Sequence, residues 1–127
     1  MRTTPDKITS LGPNEVFVFG SNLAGRHGKG AAWDAVKFGA IYGQGDGLMG
    51  RTYGISTKDR NLRVESLHAI GIRVDKFRRF ALANPELTFL VTPIGCGLAG
   101  YKPSQIAPMF KNSPSNVILP ASFQPYL

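Results

Sequence analysis

At 127 residues, 43% of them hydrophobic and 18% charged, the chain is long enough for one hydrophobic core and too short for two ordinary domains, and its composition is that of neither a disordered tract nor a membrane protein. A single cysteine, Cys96, excludes an internal disulfide and a multi-cysteine zinc site, and two distant histidines add no metal-ligand spacing, so no metal or other cofactor is expected. Fifteen Lys and Arg against eight Asp and Glu give a formal charge of +7, which favours anionic partners such as nucleotides, phosphates or nucleic acid, although the charges run from Arg2 to Lys111 without a dense basic block.

No apolar run approaches the roughly 18 to 20 residues that cross a bilayer, and MRTTPDKITS lacks the apolar centre of a secretory signal. A cytoplasmic protein without a membrane partner is the expectation. Leu11-Gly12-Pro13-Asn14 reads as a turn, followed by the β-rich run Glu15 to Phe19, a buried strand closed by a loop at Gly20, Ser21 and Asn22. Ala31 to Phe38 has the composition of a helix, with an apolar face at Ala32, Ala35 and Val36 and with Trp33 in the core. GAIYGQGDGLMG, residues 39–50, holds five glycines and predicts no regular element, only a flexible excursion or a pocket wall. Arg51 to Thr57 then reads as a short strand before the polar break KDRN.

From Glu65 to Ala83, Leu67, Ile70, Val74, Phe77 and Ala81 recur at intervals of three and four, which predicts an amphipathic helix carrying His68 as a structural or exposed residue. Asn84-Pro85 breaks it, and Thr88 to Thr92 is nearly continuous in apolar and β-branched residues, as a central parallel strand would be. A helical stretch between Lys102 and Lys111, limited by Pro108, and a short strand from Asn116 to Leu119 complete the order. Strand, loop and helix recur, which predicts an α/β fold with a mostly parallel sheet.

Ligands of parallel α/β sheets bind outside the carboxyl ends of the strands, and both glycine-rich loops of this chain begin there. In Gly20-Ser21-Asn22-Leu23-Ala24-Gly25-Arg26-His27-Gly28-Lys29-Gly30, glycines expose backbone N–H groups and a helix follows, a chemistry suited to phosphate or diphosphate. The loop matches neither the Walker A pattern, since Gly30 follows Lys29, nor the dinucleotide fingerprint G-x-G-x-x-G. Gly95-Cys96-Gly97-Leu98-Ala99-Gly100-Tyr101 offers a second set of donors, with Tyr101 placed to stack on a sugar or base.

In that order, VFVFGSN, HGKGAA and FLVTPIGCGLAGY resemble motifs of the macro domain superfamily, and more closely a macro-like family of small bacterial and phage proteins; the likeness runs from Glu15 to Leu119. It implies one three-layer α/β/α domain over residues 1–127 with a mostly parallel central sheet, acting as a monomer that binds ADP-ribose or an ADP-ribosylated substrate. Some members of the superfamily remove ADP-ribose from proteins, nucleic acid or small metabolites. By motif, Asn22 corresponds to the asparagine that contacts the distal ribose, Gly28-Lys29-Gly30 to the loop near the diphosphate, and Gly95, Cys96, Gly97, Leu98 and Ala99 to the second phosphate loop. The aspartate that would receive the adenine amine has no clear counterpart in Asp6 or Glu15, which leaves base selectivity open.

If the chain hydrolyses a glycosidic ADP-ribose bond, Asn22 would orient a ribose hydroxyl, His27 would exchange a proton and Lys29 would neutralise phosphate charge. Asp46 and Asp59 are the more accessible carboxylates and Asp34 the less suited, while Cys96 reads as a small space-filling residue. Two further readings stay beside ADP-ribose binding: a basic nucleic-acid-binding domain using Arg73, Arg78 and Arg79, and a non-catalytic interaction domain.

Overall fold

The computed structural model describes residues 2–127. In chain order its elements are β1 (Glu15–Asn22), α1 (Gly30–Val36), β2 (Gly47–Met49), β3 (Thr52–Lys58), α2 (Leu67–Ala83), β4 (Thr88–Val91), α3 (Pro103–Ile106) and β5 (Val117–Ile118), with 3₁₀ turns at Ala107–Phe110 and Ala121–Tyr126. The strands form one five-stranded sheet in the order β2-β3-β1-β4-β5. β1 runs parallel to both β3 and β4, and β4 parallel to β5; only β2 is antiparallel to its neighbour. The expected α/β fold with a mostly parallel sheet is therefore present.

The apolar run in β1 is continuous because both faces of the sheet are covered. Successive side chains point to opposite faces, so Val16 and Val18 join Tyr53, Ile55, Phe89 and Val91 in one cluster, packed against Ile70, Val74, Phe77 and Ala81 of α2. Phe17, Phe19 and Leu90 point the other way and meet Ala32 and Ala35 of α1, with Met49, Ala40 and Ile8 around them. Phe77 anchors the larger cluster, with its ring centroid 5.1 Å from Tyr53 and 5.4 Å from Phe89. The helix α2 starts where Ser66 accepts a hydrogen bond from the Ala69 N–H, so a sequence-local cap fixes its first turn.

Three local expectations change. Trp33 lies outside the core at 59% exposure, because α1 approaches the sheet through its alanines and small side chains are what permit that close approach. Gly20, Ser21 and Asn22 belong to β1 rather than to a loop, with Gly20 paired to Ile55. The glycine-rich stretch 39–50 contains the edge strand β2, too short to carry a recognisable alternation. The helical stretch after Lys102 is, as expected, limited near Pro108: α3 ends at Ile106 and a 3₁₀ turn runs from Ala107 to Phe110. No helix among the described residues is long and apolar enough to cross a membrane.

Candidate ligand-binding site

The carboxyl ends of β1, β3 and β4 open into a cavity of about 660 Å³. One wall is the end of β1 with the segment after it, at Gly20, Ser21, Asn22, Arg26, Gly28 and Lys29, continued by Gly30, Ala31 and Ala32 of α1. A second follows β3, at Thr57, Lys58 and Leu62. The third follows β4, from Thr92 through Gly95 and then Gly97, Leu98 and Ala99. Of the residues expected from sequence, His27, Cys96, Gly100 and Tyr101 do not line it.

Hydrogen bonding within the second loop explains which of its residues face the cavity. The Cys96 N–H donates to Pro93 O, the Gly100 N–H to Gly97 O and the Tyr101 N–H to Gly95 O, closing a chain of tight turns. The N–H groups of Gly95, Gly97, Leu98 and Ala99 have no protein acceptor among the described residues, and these four residues are the ones on the cavity. Gly95 holds φ at 73°, a left-handed value natural for glycine, and a Cβ there would stand 3.1 Å from Ile106 Cδ1, so the turn needs glycine at this position. Cys96 is half-buried against the larger core cluster, and burial pushes its thiol up, away from the thiolate a nucleophile requires. Tyr101 packs on the same cluster and its hydroxyl donates to Glu65 O, so it is not a stacking platform.

The first loop is built differently. Asn22 Nδ2 donates to Arg26 O at 2.9 Å while its Oδ1 accepts from the Arg26 N–H at 2.9 Å. Its amide closes the turn with one of its two Nδ2 hydrogens and one Oδ1 lone pair, while the residue lines the cavity. His27 is fully buried, with Nε2 2.8 Å from Ile41 O and 2.9 Å from Gln44 O. Both partners are carbonyls, so Nε2 carries the hydrogen and donates; His27 is a clamp behind the cavity, not a proton donor inside it. The Gly43 N–H donates to Gly25 O at 3.0 Å and the Tyr42 hydroxyl to His27 O at 3.1 Å. The stretch expected to be a flexible excursion or a pocket wall is instead a buttress bonded to the outer side of the first loop. At the start of α1, Lys29 makes no side-chain cap, and the N–H groups of Gly28, Lys29 and Gly30 also lack a protein acceptor among the described residues.

Among the described residues, Arg26, Lys29 and Lys58 are the charged residues of the lining, which holds no Asp, Glu or His. None of the three enters an ion pair among the described residues. The carboxylates considered for chemistry are elsewhere: Asp46 pairs with Lys76 at 2.9 Å, Asp59 accepts the N–H groups of Asn61 and Arg63, and Asp34 is exposed on α1. The site therefore offers backbone donors and cations to an anion, and no side chain suited to general-base work. The α2 arginines are engaged locally: Arg73 pairs with Glu65, Arg79 with Asp75, and Arg78 donates to the carbonyls of Lys111 and Asn112.

Sequence reasoning passed over Arg26, Thr57, Lys58, Leu62, Thr92, Pro93 and Ile94 as site residues. Arg26 stands inside the first loop, Thr57 ends the strand expected from Arg51 to Thr57 and Lys58 opens the polar break after it, so the carboxyl-end rule applied to all three strands points to them. Leu62 carried no sequence signal. No family model, curated protein or solved structure matches the chain.

Proposed function

We propose that the cavity captures the diphosphate of ADP-ribose or of a related nucleoside diphosphate between the two glycine loops. The observation that carries this reading is the coincidence of unpartnered N–H groups with cavity-lining positions in both loops, surrounded by three cations and no carboxylate. The macro-like reading rests on the three sequence motifs, on a mostly parallel sheet with helices packed on both faces, and on the position of both loops at the strand ends. These features support a three-layer α/β/α arrangement of the macro type. Hydrolysis of ADP-ribose adducts has less support than binding, because the lining holds no carboxylate or histidine to activate water. A nucleic-acid surface on α2 has less support too, since Arg73, Arg78 and Arg79 are already partnered.

Calorimetric titration with ADP-ribose tests the reading, with binding expected in the micromolar range, about −8 kcal/mol. A Cβ on Gly97 would meet no atom within 4 Å, so Gly97→Asp should fold while placing a carboxylate against the phosphates. Its affinity should fall at least about tenfold. Absence of heat with the natural chain, or equal affinity in the folded variant, would contradict the assignment.

A further inference from the structure

Three described residues other than glycine hold a left-handed backbone: Asn14, Leu62 and Asn112, at φ of 63°, 63° and 62°. Asparagine tolerates that conformation, because its short polar side chain can bond locally; leucine does not. Leu62 is also 41% exposed, so no core packing explains why a leucine stands where glycine or asparagine would be relaxed. The hairpin that holds it is well tied. Asp59 Oδ1 accepts from the N–H groups of Asn61 and Arg63, the Leu62 N–H donates to Asp59 O, and Lys58 bridges to Val64. The whole device presents one apolar side chain to the cavity, on the β3 side. From the β4 side, Leu98 lines the same cavity at 67% exposure. A strained residue at a cavity whose charged residues are all cations calls for a function.

The uncharged polar side chains of the lining point to the same function. Thr57 donates to Ser21 O, Thr92 to Val18 O and Ser21 to Asn22 O, while both ends of the Asn22 amide are held by Arg26. The three hydroxyl hydrogens and one of the two Asn22 Nδ2 hydrogens are committed to the protein backbone. For a phosphate the cavity offers cations and free N–H groups, and for an apolar face it offers leucine from two walls; among the described residues its lining holds no carboxylate to receive a base amino group.

Resting on the diphosphate reading above, we infer that Leu62 covers the nucleobase of the ligand, with Leu98 opposite, and that the base is recognised by the shape and dispersion of its face and not by its hydrogen-bonding edge. The base is the one large apolar surface a nucleoside diphosphate has, since its ribose is edged with hydroxyls. The ligand class is therefore nucleoside diphosphates with little discrimination between adenine and guanine.

Titrations of the full chain with ADP, GDP, UDP and inorganic pyrophosphate test this. ADP and GDP should bind within about threefold of each other, UDP less than about tenfold more weakly because its face is smaller, and pyrophosphate at least about tenfold more weakly than ADP. Leu62→Gly relieves the backbone, so its Tm should stay level or rise; its affinity for ADP should fall at least about tenfold toward that of pyrophosphate, and its affinity for pyrophosphate should not change. A merely structural Leu62 would leave the ADP affinity of the folded variant intact, which overturns the inference, as does a preference above about tenfold for adenine over guanine. If pyrophosphate binds but no base adds affinity, this inference fails and the diphosphate reading stands. If neither pyrophosphate nor any nucleotide binds, both fail.

Discussion

Side chains that look alike in the sequence do opposite work once placed. Asn22 and His27 carried the chemistry of the first loop on paper, yet both are tied to backbone atoms, whereas Arg26 between them in sequence faces the cavity. Burial decides the outcome for Tyr53 as well. Removal from water pushes its hydroxyl up to about 12, with the negative charge of Asp46 adding to the effect. A folded pKa raised above the unfolded value contributes stability that is whole below about pH 10 and is lost as pH climbs toward 12. The urea midpoint should accordingly decline across that window, and Tyr53→Phe, which cannot ionise, should flatten the decline. An identical alkaline profile in the variant would show that Tyr53 does not carry it.

Elements differed in how openly they declared themselves. The helix α2 was legible because Ile70, Val74, Phe77 and Ala81 recur with the helical period and all four are buried. The central strands were legible because a strand covered on both faces needs an unbroken apolar run. The stretch before β3 was not, since its structure is set by contacts between distant backbones that no local pattern encodes. A Cβ on Gly45 would stand 1.6 Å from Asn22 O, and one on Gly25 would stand 2.3 Å from the Gln44 nitrogen. These glycines permit close approach of two backbones; they do not mark flexibility. Gly45→Ala should therefore destabilise the protein by about 3 kcal/mol in urea unfolding, a cost well above the usual loss at an exposed glycine. A change below about 0.5 kcal/mol would show that the buttress does not press on β1.

At the scale of the whole molecule, the sheet order places three parallel carboxyl ends side by side, and the cavity opens there, walled by the segments that follow them and by the start of α1. Two of its three walls could be read from glycine loops; the third, at Thr57, Lys58 and Leu62, depends on β3 lying beside β1, which is a fact of topology. The excess of positive charge divides in the same way. On α2 it is absorbed by Glu65, Asp75 and carbonyl oxygens, and at the cavity it is left unpaired. A nucleoside diphosphate should therefore touch the chain at both loops, and amide chemical shifts during an ADP-ribose titration measure that directly. The N–H signals of Gly28 to Gly30 and of Gly95 to Ala99 should move together and saturate together at micromolar ligand. Shifts confined to the α2 arginines, or no saturable shift in either loop, would contradict capture of a diphosphate between them.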